Sequence, residues 1–350
     1  MRACVLRGGG LVVDDVPTPL PEAGQLLVRV LACGICGSDL HFLNHAPAFV
    51  AMTEEVRPSM GPQAAAVPTL DLDRDIVMGH EFCGEVVELG PGTAGPTPGT
   101  RVVSVPVVLS GTGVHQLAYN NDFPGGYAEY LLLSSALALE VPDGLDTRRA
   151  ALTEPLAVGL HAVARSGAAA RHGAVVVGCG PVGLAVVAGL VAAGVEVIVA
   201  ADFSPARRAM AGALGATETV DPAVEGVVDA WRRLDGRRPL LAFEAVGVPG
   251  SLGQLLRDVP PATGVTVVGV CMEPDRIVPF HAIAKELDLH FVLAYGPDEF
   301  AGALRAQAEG TIDVSPMVTG TVGLEGVPGA FEALGRPDEH VKILVEPGLT

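Results

Sequence analysis

Cys36-Gly37-Ser38-Asp39-Leu40-His41, followed by Gly79-His80-Glu81 and later by Glu154, gathers a thiol, a hydroxyl, imidazoles and carboxylates from separate stretches of the chain. Thiolate, imidazole and carboxylate are the donors that hold zinc while leaving one coordination position open for chemistry. Cys36 as thiolate, His80 as neutral imidazole and either Glu81 or Glu154 as carboxylate make such a set. Zinc held this way lowers the pKa of a bound oxygen toward neutrality, to about 7 for water in the best cases. Oxidation of an alcohol needs that shift before hydride can leave its carbon. Ser38 and His41 follow Cys36 closely, and a hydroxyl that passes a proton to an imidazole nearer solvent is the relay this reaction requires. Asp39 is placed to fix the tautomer of His80.

A second group of residues indicates where the hydride goes. The apolar run Val175 to Val177 leads into Gly178-Cys179-Gly180-Pro181-Val182-Gly183, and Asp202 follows the next apolar run, Val195 to Ala201. Gly-x-Gly-x-x-Gly after a strand and opening a helix is a dinucleotide fingerprint. Gly178 makes the tight turn, Gly180 lets a pyrophosphate approach the backbone, and Gly183 lets helix and strand pack closely. Pro181 and Val182 begin the helix whose N-terminus attracts phosphate. Asp202 is suited to accept from adenosine ribose hydroxyls and to repel a 2′-phosphate, which favours NAD over NADP. Arg207 and Arg208 pull the other way, since either can reach a phosphate.

Each residue taken singly has a plainer role. Cys36 alone is a small buried hydrophobe, and Cys33-x-x-Cys36 a redox or ribbon pair, although no second such pair follows. Glu154 before Pro155 favours a helix N-terminus, His41 is a surface histidine, the glycines pack a parallel sheet, and His161 on a mainly apolar helix belongs to packing. The coincidence of all of them argues for chemistry.

The elements that must position these groups fall into two styles. Up to about residue 145, short β-runs punctuated by proline and glycine (Leu26 to Ala32, Glu85 to Leu89, Arg101 to Val105, Tyr127 to Leu133) predict a mostly antiparallel, barrel-like unit. From Pro155 helix and strand alternate: helix Leu156 to Arg165, strand 174–177, helix 181–193, strand 195–201, helix Pro205 to Leu214, then strands at Leu240 to Glu244, Val265 to Val270 and Leu289 to Leu293. Such a series builds a parallel, doubly wound sheet. Val341 to Val345 returns to the β style. The fold class is therefore α/β, with a barrel domain over 1–150 completed by 297–350 and a nucleotide domain over 151–296 inserted between. Asn44 to Asp75, with Pro47, Pro58, Pro62 and Pro68, fits neither style and reads as a long loop, whose Phe49, Val50, Met52 and Met60 can line or cover a substrate cleft.

A chain of 350 residues suits two domains, with a cleft between them as a natural ligand site. A formal charge of -18 argues against nucleic acid. No apolar run reaches the ~20 residues of a membrane span. Met1 to Leu6 reads as a first strand and not as a signal peptide, which points to the cytoplasm and reduced thiols. Consistent with that, the six cysteines lack the rhythm of a disulfide scaffold. Of 22 basic residues all but Lys285 and Lys342 are arginine, a bias attributable to genome composition.

At these residues the chain resembles the zinc-containing medium-chain dehydrogenase/reductase family, the alcohol and polyol dehydrogenases, over nearly its whole length. The matching segments are Gly24 to Val30, Ala32 to Asp39, Gly79 to Glu81, Gly125-Gly126-Tyr127-Ala128-Glu129-Tyr130 and Glu154 to Ala157. The resemblance implies a GroES-like β-barrel catalytic domain joined to a Rossmann domain, zinc and NAD(P) as cofactors, and homodimers or homotetramers. It also implies Cys36 and His80 as ligands, Ser38 and His41 as relay members, and Glu81 or Glu154 as the carboxylate near the metal. The Glu154-Pro155 pair looks like the sorbitol and threonine dehydrogenase branch. Many relatives carry four closely spaced cysteines that form a structural zinc lobe. Gly84 through Gly178 has no cysteine, so one catalytic zinc and no structural zinc is expected. The Asn44 to Asp75 segment departs from the pattern too, and hints at a bulkier or more apolar substrate. The expected reaction is reversible oxidation of a secondary alcohol or polyol, a small-molecule substrate, with NAD taking the hydride. The alternatives are a biosynthetic reductase of a ketone, aldehyde or activated alkene using NAD(P)H, and a non-catalytic nucleotide-binding module.

Overall fold

Strand Gln25–Gly34 is buried along most of both faces because it is flanked on each side. In the computed structural model, which describes residues 1–61 and 69–349, it pairs antiparallel with Glu81–Leu89, Tyr130–Ser134 and Lys342–Val345. The sheet extends through Arg101–Ser104 to Ala138–Glu140 at one end and to Val318–Val322 at the other. This sheet, the hairpin Arg2–Arg7 with Gly10–Asp15, and a core that includes Val28, Val86, Leu131 and Phe331 make a unit of Met1–Glu154, Val318–Arg336 and Lys342–Thr350. It is the GroES-like half of the α/β fold.

Residues Pro155–Met317 and Pro337–Val341 form the second unit. Its sheet has six parallel strands in the order Glu218–Val220, Val197–Ala201, Gly173–Val177, Leu240–Glu244, Gly264–Val267, Asp288–Phe291. That order is the doubly wound Rossmann arrangement. The first strand, Gly173–Val177, lies at the centre, and helix Pro181–Ala192 that follows it is buried from Gly183 through Leu190. Close packing there depends on Gly183. A Cβ at that position would lie 1.9 Å from the carbonyl oxygen of Gly178, which itself has φ +95°. Gly178 can take that left-handed turn because it has no side chain.

Two expectations about organisation need correction. The chain returns to the first unit at Val318 and not at 297. Helix Pro297–Ala308 stays with the second unit because it buries Phe300, Ala303 and Leu304 there, and Glu299 meets His161 Nδ1 at 2.9 Å. His161 thus meets a carboxylate through a hydrogen bond and does more than pack. The second correction concerns Asn44 to Asp75. Helix Gly37–Val56 runs through its first part and a 3₁₀ turn follows at Arg57–Ser59; Pro62 and Pro68 lie outside the described residues. Pro47 sits inside the helix, and His45 two residues earlier has non-helical φ −135° and ψ 27°. A proline that lacks an N–H and crowds the preceding turn kinks a helix without ending it when tertiary contacts hold both halves. Phe49 supplies one such contact, its ring 5.6 Å from that of Tyr119.

Among the described residues no helix is long and apolar enough to cross a membrane. Gly183→Ala is expected to destabilise the second unit by about 1–3 kcal/mol through overpacking. Urea unfolding followed by the fluorescence of Trp231, the one tryptophan and buried in this unit, measures that loss.

Candidate active site

Cys36 stands where strand Gln25–Gly34 hands over to a helix. It is the N-cap of Gly37–Val56 with extended φ −89° and ψ 153°. Asp39, in the first turn, reaches back to accept from the Cys36 backbone N–H at 3.0 Å, as the acid of a capping box does. A helix N-terminus favours anionic groups, and Cys36 and Asp39 both lie in it. Glu81 begins the neighbouring strand opposite Gly34, with His80 just before it. Gly34 is required by that pairing, since a Cβ there would lie 2.0 Å from Glu81 Oε2.

The register brings Cys36 Sγ, a His80 ring nitrogen and a Glu81 carboxylate oxygen within 4.8 Å of one another. Ligands bound at ~2.0–2.3 Å to one tetrahedral ion sit a little closer together than that, so small side-chain shifts complete a zinc site. The donor chemistry fits zinc. Further support comes from the carboxylates around it. Asp39 Oδ1 lies 3.5 Å from His80 Nδ1, an ion-pair distance. Tyr119 and Tyr127 hydroxyls approach Asp39 at 2.8 and 2.7 Å. Burial pushes the Asp39 carboxyl up, but the His80 ring and these hydrogen bonds outweigh it and hold the group below its ordinary value. His80 shows the converse. Burial lowers it, the charge of Asp39 more than compensates, and the ring sits well above its ordinary value.

Glu81 has no exposure and is held by Lys342, whose Nζ lies 2.7 and 2.6 Å from its two oxygens and 3.0 Å from the Ile35 carbonyl. Burial lowers the Lys342 ammonium, and Glu81 outweighs it to keep the lysine raised and charged.

In the second unit, Gly180 is the N-cap of the Pro181–Ala192 helix, with Pro181 at the first helical position. Asp202 ends its strand and accepts from the backbone N–H of Cys179 and of Ser204, each at 2.8 Å. Arg208 is committed to the carbonyls of Asp202 and Phe203 and to Asp221. Arg207 Nε, by contrast, is buried with no hydrogen-bond partner. A turn with an open N-terminus, its glycines and an acid at its base fits a dinucleotide.

Comparison with known proteins agrees with this chemistry. A family profile described as "Alcohol dehydrogenase GroES-like domain" matches residues 22–143, and one described as "Zinc-binding dehydrogenase" matches 181–309. The chain is 35% identical to the (R,R)-butanediol dehydrogenase of Bacillus subtilis (strain 168), over 96% of each chain. The chain belongs to the zinc-type medium-chain alcohol and polyol dehydrogenases. It is also 27% identical to the sorbitol dehydrogenase of that organism, over 99% of this chain and 97% of the other. The crystal structure of 2R,3R-butanediol dehydrogenase from Bacillus subtilis superimposes with a TM-score of 0.83 at 31% identity, covering 99% of both chains.

As a zinc-type dehydrogenase the protein is an NAD(P)-linked oxidoreductase, and its sequence motifs can be placed one by one. Cys36, His80 and Glu81 converge. Ser38 joins them through Tyr119, whose hydroxyl lies 2.9 Å from Ser38 Oγ. His41 is one helical turn beyond Ser38 and partly exposed. Glu154 is buried in the first turn of helix Thr153–Ser166 and acts electrostatically on Lys342, but it lies outside the three-residue cluster. Sequence reasoning missed Lys342, Tyr119 and the role of Tyr127. A signal for Lys342 was present: a charge inside the apolar run Val341 to Val345, at one of two lysines in the chain.

Lys342→Met is expected to cost about 3–5 kcal/mol because it strands a buried carboxylate, while the double variant Lys342→Met/Glu81→Leu recovers most of that loss. Denaturant unfolding followed by circular dichroism compares the two.

Proposed function

We propose that this protein catalyses the reversible oxidation of a secondary hydroxyl in a small diol or polyol to the ketone, with NAD as hydride acceptor and one zinc per chain held by Cys36, His80 and Glu81. The convergence of those three donors, His80 and Glu81 buried and the set backed by Asp39 and Lys342, carries the reading. The butanediol and sorbitol dehydrogenases it is similar to support the substrate class.

Zinc, when bound, supplies the Lewis acidity that makes a substrate hydroxyl acidic near neutral pH. The protein's own groups do the rest. Asp39 orients the His80 ring. Ser38 takes the substrate proton, and His41 receives it one turn further along the helix. Burial and the neighbouring His45 hold His41 below the ordinary histidine value, so it is neutral and able to accept at neutral pH. Glu154 stands by as the second acid near Lys342.

Asp202 supports NAD over NADP, because a ribose hydroxyl can donate to its carboxylate whereas a 2′-phosphate is repelled. The absence of cysteine between Gly84 and Gly178 supports a single zinc. Its six free cysteines suit the reducing cytoplasm. Asp288–Phe291 ends the parallel sheet, its Phe291 is exposed, and so are Phe280, Ile283 and Leu293, close to it in the chain. An uncovered apolar sheet edge of this kind supports self-association into dimers or tetramers.

Cys36→Ala and His80→Ala are expected to lose zinc and at least about 10²-fold in turnover. Metal analysis alongside NADH absorbance with a panel of diols and ketones tests this, and full activity in a metal-free preparation overturns it. Asp202→Ala is expected to weaken NAD more than NADP; equal changes in the two KM values refute the cofactor assignment.

A further inference from the structure

We propose that Glu244 is a positioning residue for the dinucleotide: from beneath loop 245–248 it holds that loop against the glycine fingerprint, where the loop forms one wall of the cofactor crevice. This rests on the reading that the turn at 178–183 takes the pyrophosphate, and goes beyond it by naming what shapes the facing wall.

In a doubly wound sheet the ligand lies outside the carboxyl ends of the strands, at the point where the strand order reverses. Here the reversal falls between Gly173–Val177 and Leu240–Glu244, which pair directly with Val177 opposite Glu244. The fingerprint leaves the first of these strands at that level, and loop 245–248 leaves the second. The two segments touch. Ala245 N–H donates to the Val177 carbonyl at 2.8 Å, and a Cβ on Gly178 would lie 2.8 Å from both the Ala245 carbonyl oxygen and Val246 Cγ2. Val246 and Val248 remain 39% and 47% exposed, and Val270, after the next strand, 49%. Apolar side chains left open at the carboxyl ends of the strands suit the ring faces of a dinucleotide.

Glu244 is 2% exposed, and a buried carboxyl group must find hydrogen-bond partners. It finds them in the loop. Its Oε1 accepts from the N–H groups of Val246 at 3.0 Å and Gly247 at 3.1 Å and from Ser251 Oγ at 2.7 Å. The Glu244 carbonyl accepts from the N–H groups of Val268 and Gly269 at 2.8 and 3.0 Å, which fixes the exit of the neighbouring strand Gly264–Val267. Gly247 takes φ +72°, and Gly269 has no room for a side chain, since a Cβ there would lie 2.4 Å from Gly247 N and 2.7 Å from Glu244 Oε2. One residue therefore joins the loop, the start of helix Ser251–Asp258 and the chain at Gly269.

A loop that holds its binding-competent form for only a fraction of the time lowers the apparent affinity by that fraction. Without the carboxylate, the Val246 and Gly247 N–H groups lose their acceptor, and the loop no longer has a single form in which to present Val246 and Val248. Glu244 belongs to the second unit and the three metal donors to the first, so cofactor affinity and zinc content are separate readouts.

The test uses the zinc-loaded enzyme with Glu244→Ala and Glu244→Gln, and NADH titrated calorimetrically. Glu244→Ala is expected to raise the NADH Kd about 10-fold or more, as when buried donors are left without an acceptor. Zinc content should be unchanged, and KM for a diol at saturating NAD should move less than about 3-fold, since neither depends on this loop. Glu244→Gln, whose amide oxygen can accept the same bonds, should stay within about 3-fold of the parent in NADH Kd. An unchanged Kd in Glu244→Ala, a Glu244→Gln variant as impaired as Glu244→Ala, or a loss of zinc that parallels the loss of NADH each overturns the proposal. If Glu244→Ala does not fold, Val246→Asp replaces it at an exposed position. By placing an anion on the wall it should raise the NADH Kd about 10-fold, about 1.4 kcal/mol, and an unchanged Kd overturns the proposal equally. A parent enzyme that binds no NADH instead removes the dinucleotide reading on which the proposal rests, and is read separately from Glu244.

Discussion

A buried ammonium between a carboxylate and a carbonyl is the interaction on which the candidate site rests. Lys342 comes from the last strand of the chain, Glu81 from the motif that also supplies His80, and Ile35 from the turn that delivers Cys36. Burying two charges is unfavourable unless geometry and additional hydrogen bonds compensate. The three stretches must therefore arrive together. Gly34 must stay small, Glu81 must begin its strand opposite it, and Lys342–Val345 must pair with the end of Gln25–Gly34. The metal site and the closing of the first unit are in this sense one constraint.

The charge balance around that pair favours a divalent cation. With Cys36 as thiolate, it joins Glu81 and Asp39 as negative groups against the single positive charge of Lys342. Asp39 alone takes the Tyr119 and Tyr127 hydroxyls and the Cys36 N–H, so it remains ionised without exposure. The charge of Asp39 outweighs burial at His80 and raises its ring well above the ordinary value. A cation held by these donors would compete with protons for them, so its binding would depend on pH. The Tyr119 hydroxyl, 2.8 Å from Asp39 Oδ1 and 2.9 Å from Ser38 Oγ, connects Asp39 with Ser38.

Much of this was legible in the chain. Five of the six Rossmann strands and the helices around the nucleotide turn emerged near their observed limits because they carry their own punctuation, such as Pro181 at a helix start and Gly194 past its end, whereas the short edge strand Glu218–Val220 was missed. Cys36, His80 and Glu81 were readable as donors from type and order. What local pattern does not contain is pairing across distance. Lys342 reads as an odd charge in a strand until Glu81 is placed beside it. Tyr119 follows a stretch with no recognisable motif, and only the fold brings its hydroxyl beside Ser38 and Asp39. Helix Gly37–Val56 was obscured by Pro47, a signal that usually ends a helix but here bends one whose far half is held by the packing of Phe49 on Tyr119. The return at Val318 was missed because helix Pro297–Ala308 has no mark in sequence that says which sheet its apolar face will cover.

The composition bias acquires meaning through its exceptions. In a chain whose basic residues are otherwise arginine, Lys342 donates to Glu81 Oε1, Glu81 Oε2 and the Ile35 carbonyl. Lys285 donates to the carbonyls of Leu256, Arg257 and Val259, at and just past the end of helix Ser251–Asp258. Both ammonium groups thus have three acceptors for three N–H donors. Arginine would bring a planar fork of five donors into a space shaped for a compact point charge, leaving N–H groups buried without partners. Where arginine is tolerated it lies mostly in exposed pairs, such as Arg7 with Asp14 and Arg74 with Asp122. Geometry, not charge alone, retains lysine at these two positions, and at Lys342 that geometry is the frame of the proposed metal site.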